Sequence, residues 1–134
     1  MFHMARLARA VAPGVQHHIT QRGNRRQQVF FNVEDYGAYI AGLAAYAQAE
    51  AVELLAYCLM PNHVHLILVP PHEGSLSAVL SRLHRDYARR INFRERWRGY
   101  LWQGRFASFA MDEDYLLACA RYVELNPVRA RLVS

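Results

Sequence analysis

The densest run of reactive side chains in the chain is Asn62-His63-Val64-His65-Leu66-Ile67-Leu68. In an extended strand successive side chains alternate faces, so His63 and His65 project to one side and Val64 and Leu66 to the other. Two imidazoles on one face, two residues apart, can grip one divalent cation. A bare His-x-His is more often a pair of ordinary half-buried histidines. Here, however, both rings interrupt a run otherwise fit for a core strand, where unsatisfied ring nitrogens are costly. A cation would satisfy them. His17 and His18 are adjacent, so they point to opposite faces and cannot chelate together, while His3, His72 and His84 read as surface residues.

A second run, Arg121-Tyr122-Val123-Glu124-Leu125-Asn126-Pro127, places Tyr122 and Asn126 four residues apart, on one face of a helix. One helix laid across the histidine face would supply a nucleophilic phenol and a third metal ligand together. A core tyrosine and an asparagine ending a helix before proline give the same pattern. Tyr115 lies seven residues earlier and nearly eclipses Tyr122 on a helix, so spacing does not choose between them.

Charge bears on the partner. The chain has 134 residues and a formal charge of +5, and all 16 of its basic residues are arginine. The guanidinium is a planar fork that grips phosphate in two places and stacks on bases, which suits a nucleic-acid partner. An arginine-favouring base composition accounts for the missing lysine but not for the clustering. Arg82, Arg85, Arg89, Arg90, Arg94, Arg96 and Arg98 fall within 17 residues, offset only by Asp86 and Glu95. Tyr87, Phe93, Trp97, Tyr100 and Trp102 interleave them with rings able to stack on unpaired bases, Tyr87 above all being equally suited to the core. With Arg22, Arg25, Arg26, Gln103 and Arg105, this stretch is the expected DNA-contacting surface.

The elements that must position these groups follow from periodicity. Residues 15–21 read as a strand followed by the turn-like Arg22-Gly23-Asn24. Asn32 can cap a helix running to about Glu50, with Tyr36, Tyr39, Ile40, Leu43 and Ala47 at helical spacing. Residues 52–59 and 63–69 form a hairpin around Met60-Pro61-Asn62. After Gly74-Ser75, Leu76, Val79, Leu80, Leu83, Tyr87 and Ile91 mark the apolar face of a second helix. A strand over about residues 100–111 follows, and Asp112 caps a last helix that stops near Pro127. The first six elements match the split β-α-β arrangement of ferredoxin-like folds, an α+β class with an antiparallel sheet backed by helices on one face.

With 53% hydrophobic and 12% aromatic residues, the composition is that of a folded chain, with room for one domain over residues 1–134. Its longest apolar runs are far short of the roughly 20 residues of a membrane helix, and no signal-peptide core is present, which predicts a cytoplasmic protein with no membrane partner. Cys58 and Cys119 lie in apolar segments without zinc spacing and read as buried thiols.

Taken together, MPNHVHLIL at 60–68 and RYVELNPVRARLV at 121–133 closely resemble the HUH-type single-tyrosine transposases, in particular the REP-associated branch. Thr20-Gln21-Arg22-Gly23-Asn24 and Leu101-Trp102-Gln103-Gly104-Arg105-Phe106 add to the resemblance, which spans about residues 15–133. It implies that His63, His65 and Asn126 hold a divalent metal, Mg²⁺ or Mn²⁺, and that Tyr122 on the C-terminal helix is the nucleophile. Paired imidazoles favour manganese over magnesium. The implied activity is nicking and rejoining of single-stranded or hairpin DNA through a 5′-phosphotyrosine with release of a 3′-hydroxyl, in a bacterial, nucleoid-associated protein. The chain would act as a homodimer that shares Tyr122 between subunits or as a monomer that uses its own. Two other readings compete: a catalytically silent ferredoxin-like nucleic-acid binder, and a metal-dependent phosphodiesterase that uses water.

Overall fold

In a computed structural model, which describes residues 11–111 and 129–131, four strands and two helices follow the expected order and a fifth strand is added. Strand β1 is His17–Arg22, followed by a 3-10 turn at Asn24–Arg26. Helix α1, Val33–Ala49, starts where Asn32 takes extended backbone and its Oδ1 accepts the Asp35 N–H at 2.8 Å. Strands β2, Glu53–Met60, and β3, His63–Val69, form the hairpin, and helix α2 is Ser75–Glu95. Strand β4 is Ala107–Ala110 and β5 is Arg129–Arg131. The sheet order is β4-β1-β3-β2-β5, with every pairing among the described residues antiparallel. Its first four members give the ferredoxin-like arrangement expected from the sequence.

Residues opposite one another in an antiparallel pair share a face. Ile19 of β1 faces Leu66 of β3, and both lie in one core with Leu59, Leu68 and the buried sides of the helices: Tyr39, Leu43 and Ala47 of α1, and Leu76, Val79, Leu80, Leu83, Tyr87 and Ile91 of α2. Both predicted helical stripes are therefore the ones that pack. The helices approach closely at Gly42, where a Cβ would stand 2.9 Å from the Leu83 side chain.

The structure departs from the sequence reading in three places. The strand expected over residues 100–111 is confined to β4. Residues 101–103 run beside the end of β1 as an irregular segment, tied by Asn24 N–H to Leu101 O at 2.8 Å and Gln103 N–H to Arg22 O at 2.9 Å, and Gly104 adopts φ +63°. Trp102 meanwhile turns into the core, its indole N–H donating to His84 O at 3.1 Å. Strand β5 is new, and it pairs with the outer edge of β2.

The third departure is His84, which is buried rather than on the surface: its Nε2 lies 2.8 Å from the Tyr39 hydroxyl. Burial pushes its imidazole down to about 3. The folded pKa lies below that of the unfolded chain. As pH falls from 6.5 towards 3, the unfolded state therefore takes up a proton that the folded state refuses, and stability is lost. Urea unfolding of wild type at pH 7 and pH 5 should show a decrease about 2 kcal/mol larger than in His84→Gln. Equal decreases would mean that His84 does not carry this penalty.

His72 is exposed and Cys58 is buried, as expected. Among the described residues no helix is long and apolar enough to cross a membrane. Tyr115, Cys119, Tyr122 and Asn126, the helix predicted to carry them, and His3 lie outside the described residues.

Candidate functional site

The sheet face opposite the helices carries the predicted histidines. His63 sits across from Arg22, and His65 across from Thr20 on one side and Cys58 on the other. The ring centroids of His63 and His65 are 5.0 Å apart at 86°. Two imidazoles bound to one first-row cation through nitrogens at about 2.1 Å have centroids about that far apart. The Nδ1 of His63 lies 2.7 Å from Asn62 Oδ1, and the Nδ1 of His65 lies 3.0 Å from His18 Nε2. With each Nδ1 so engaged, Nε2 is the nitrogen through which either ring would meet a metal.

Electrostatics favour neutral rings. Burial lowers the pKa of His63, and Arg22 adds to the effect. Burial, His18, His63 and Arg22 together bring His65 down to about 4. At neutral pH both rings are therefore deprotonated, so a cation need displace no proton to bind them. The donor set thus fits a divalent metal. Among the described residues no group of three His, Cys, Asp or Glu side chains forms a metal cluster, so a third ligand must be of another kind or come from elsewhere in the chain.

His63 and His65 line a cleft of about 290 Å³ together with Thr20, Gln21, Arg22, Gln103, Arg105 and Ala107. The structure thus brings three of the sequence-predicted DNA residues, Arg22, Gln103 and Arg105, to the histidines. The device is the irregular segment after Gly99. The Gln21 side chain donates to Gly104 O at 3.1 Å and accepts the Arg22 N–H at 2.9 Å, clamping that segment to β1. Gly23 pairs with Trp102, and a Cβ at Gly23 would collide with the Gln27 carbonyl. Glycine is required there by the tight turn through Asn24–Arg26, which folds the Gln27 carbonyl back over position 23.

A larger hollow of about 1110 Å³ adjoins this cleft, since Gln21 and Arg105 line both. Leu80, Ala88, Leu101 and Trp102 give it apolar walls, and Arg85, Arg89, Phe93, Trp97 and Tyr100 line it as well. Phe93 and Tyr100 are 89% and 85% exposed, ring surface that a folded core would ordinarily hide. The hollow is the larger of the two, yet both histidines sit in the smaller.

The other arginines divide by their partners. Arg94 reaches buried Asp35 with two nitrogens, at 2.5 and 3.0 Å, and Arg90 reaches it at 3.3 Å. Burial raises the Asp35 carboxyl, but hydrogen bonds from Arg94 and the Phe31 N–H outweigh it, and the net shift is downward. Arg90 and Arg94 thus tie the end of α2 to the start of α1. Arg82 pairs with Glu50 at 3.6 Å. Arg25 and Arg26 are exposed and both adopt left-handed backbone, φ 56° and 59°. Sequence reasoning missed Gln21 as the clamp and His18 beside His65, because nothing in a linear pattern says which residues of two distant strands become diagonal neighbours.

The chain matches the family model described as IS200-like transposase over residues 12–126. Among solved structures it resembles a REP-associated tyrosine transposase bound to a REP hairpin, with 20% identity and a TM-score of 0.64 over 81% of this chain and 64% of that one. The chain therefore spans slightly less than two thirds of that protein's resolved length. It also resembles a candidate transposase from Deinococcus radiodurans R1, with 23% identity and a TM-score of 0.61 over 82% of this chain and 88% of that one. At these identities the likeness shows a shared fold. A search of curated proteins returned no match.

Proposed function

Because the chain belongs to the IS200-like transposase family, we propose that it is a metal-dependent nuclease and strand transferase that nicks single-stranded DNA through Tyr122. The observation that carries this reading is the convergence of two neutral imidazoles, two guanidinium groups and an amide on one cleft, His63, His65, Arg22, Arg105 and Gln103. A phosphodiester is guarded by negative charge, and a site that cleaves it needs cationic groups held where charge develops. A divalent cation, Mn²⁺ or Mg²⁺, held by His63, His65 and Asn126 would supply Lewis-acid polarisation of a non-bridging oxygen.

The remaining steps belong to the chain. Arg22 and Arg105 neutralise the phosphate, and Gln103 orients it by hydrogen bonding. The Tyr122 oxygen attacks phosphorus in line, the bond from phosphorus to the 3′-oxygen breaks, and that oxygen leaves as a hydroxyl. The 5′ end stays on the enzyme as a phosphotyrosine. That ester conserves the bond, so a second 3′-hydroxyl can attack it and rejoin strands.

The DNA is proposed to be a hairpin with a single-stranded flank, as the solved relative holds a REP hairpin. The flank would run from the histidine cleft into the adjoining hollow, where Phe93, Trp97 and Tyr100 offer stacking surface. The whole chain is proposed to act as one domain in the bacterial cytoplasm. The deciding experiment is incubation with labelled hairpin DNA and Mn²⁺, read on a denaturing gel. A covalent protein–DNA species supports the proposal. Cleavage without one supports a hydrolase that uses water, and binding without cleavage a silent nucleic-acid binder.

Binding itself should be salt-dependent. The logarithm of affinity for single strands is expected to fall with the logarithm of salt by about 0.7 per phosphate neutralised. Replacing Arg85 and Arg89 with glutamine should flatten that slope by roughly 1.4, whereas a salt-independent affinity would point to a ligand other than nucleic acid.

A further inference from the structure

Two hydrogen bonds decide which nitrogen each histidine of the cleft can offer. At His63 the roles are fixed by chemistry, because the Asn62 amide oxygen beside Nδ1 can only accept. The other end of that amide donates to Arg26 O at 3.3 Å, which sets its orientation. The His63 proton is therefore on Nδ1, and its Nε2 keeps a lone pair.

At His65 the partner is another imidazole, His18 Nε2 at 3.0 Å from His65 Nδ1, and two assignments satisfy the bond. If His18 donates, His65 carries its proton on Nε2 and has no lone pair there. If His65 donates, its Nε2 is left as a donor to metal and His18 holds its own proton on Nδ1. Only the second arrangement lets both histidines of the pair present Nε2. Strand geometry makes the contact systematic. His18 lies across from Ile67 and Thr20 across from His65, so His18 is the diagonal neighbour of His65 on the same face. The ring planes lie within 20° of each other with centroids 5.2 Å apart, the edge-to-edge arrangement of a bond between ring nitrogens.

We infer that His18 is a positioning residue of the cleft: its Nε2 accepts the Nδ1 proton of His65 and so fixes the tautomer and ring orientation in which His65 Nε2 meets a cation. The inference rests on reading His63 and His65 as metal ligands. An imidazole lacking such a partner favours the Nε2-protonated form, so without His18 the lone pair would turn away from the cleft.

The test begins with the metal-free protein at neutral pH, labelled with ¹⁵N at histidine, in which two-bond ¹H–¹⁵N spectra report each tautomer. His65 should be protonated on Nδ1 in wild type and in His18→Gln, whose amide oxygen can accept the same proton. In His18→Phe it should move to the Nε2-protonated form, and His18→Ala repeats that arm without a bulky ring should phenylalanine unfold the sheet. Mn²⁺ affinity should fall by about 10- to 100-fold in His18→Phe and recover in His18→Gln. A wild-type His65 protonated on Nε2, or one that stays protonated on Nδ1 without His18, overturns the inference. Failure of wild type to bind Mn²⁺ sinks the metal reading alone, and the tautomer spectra still decide the role of His18.

Discussion

A Tyr122→Phe protein is expected to bind labelled hairpin DNA with wild-type affinity, to keep its thermal stability, and to yield no covalent adduct on a denaturing gel. The substitution removes one oxygen and almost no packing surface, so a loss confined to the adduct would identify the missing atom as the nucleophile. Tyr115 is the control, since a helix would place it near the same azimuth two turns earlier. Tyr122 is preferred because Asn126 follows it by four residues, one helical turn on, which would set a metal ligand beside the phenol it serves. Tyr115→Phe should then form adduct at close to the wild-type level. The opposite result, with Tyr115→Phe alone losing the adduct, would shift the helix register and leave Asn126 as a cap.

Where short-range physics governs, the sequence is a sufficient guide. The residues at helical spacing in α1 and α2 are those that pack, Asn32 caps α1 through its own side chain, and His63 and His65 share a face because a strand has a period of two. The shared face of the two histidines was thus legible from three consecutive residues. Its surroundings were not. Arg105 and Gln103 reach the histidines only because Gly23, Gln21 and Gly104 let one irregular segment lie against the end of β1. No periodicity encodes that approach.

Polar residues proved the hardest to place, and for one reason. His84 reads as a surface residue because it is polar, yet it stands one turn after Leu80 beside the apolar stripe of α2, and the Tyr39 hydroxyl from the other helix makes its burial tolerable. Arg90 and Arg94 read as part of a phosphate-binding run, but buried Asp35 engages both. Partner choice across elements decides these cases. Arg85, whose ion pair is with its neighbour Asp86 at 3.6 Å, and Arg89 both line the hollow and are the members of the run proposed to meet DNA.

Replacing either His63 or His65 with alanine should lower cleavage by at least about 1,000-fold, roughly 4 kcal/mol of transition-state stabilisation, while DNA affinity changes little. The separation is expected because the guanidinium groups, not the imidazoles, supply the attraction to phosphate in the ground state. Both rings are neutral, so their loss removes only the cation they would hold, one positive centre beside the many guanidinium groups that meet the DNA. EDTA should reproduce the defect in wild type. Normal cleavage by either histidine variant would end the metal reading, whatever the fate of Tyr122. The same variants resolve how the site is assembled. Mixing His63→Ala with Tyr122→Phe restores intact histidines and an intact tyrosine to one site only if subunits exchange the tyrosine. Recovered adduct formation would therefore require a dimer that shares its active sites, and continued inactivity would assign Tyr122 to the histidines of its own chain.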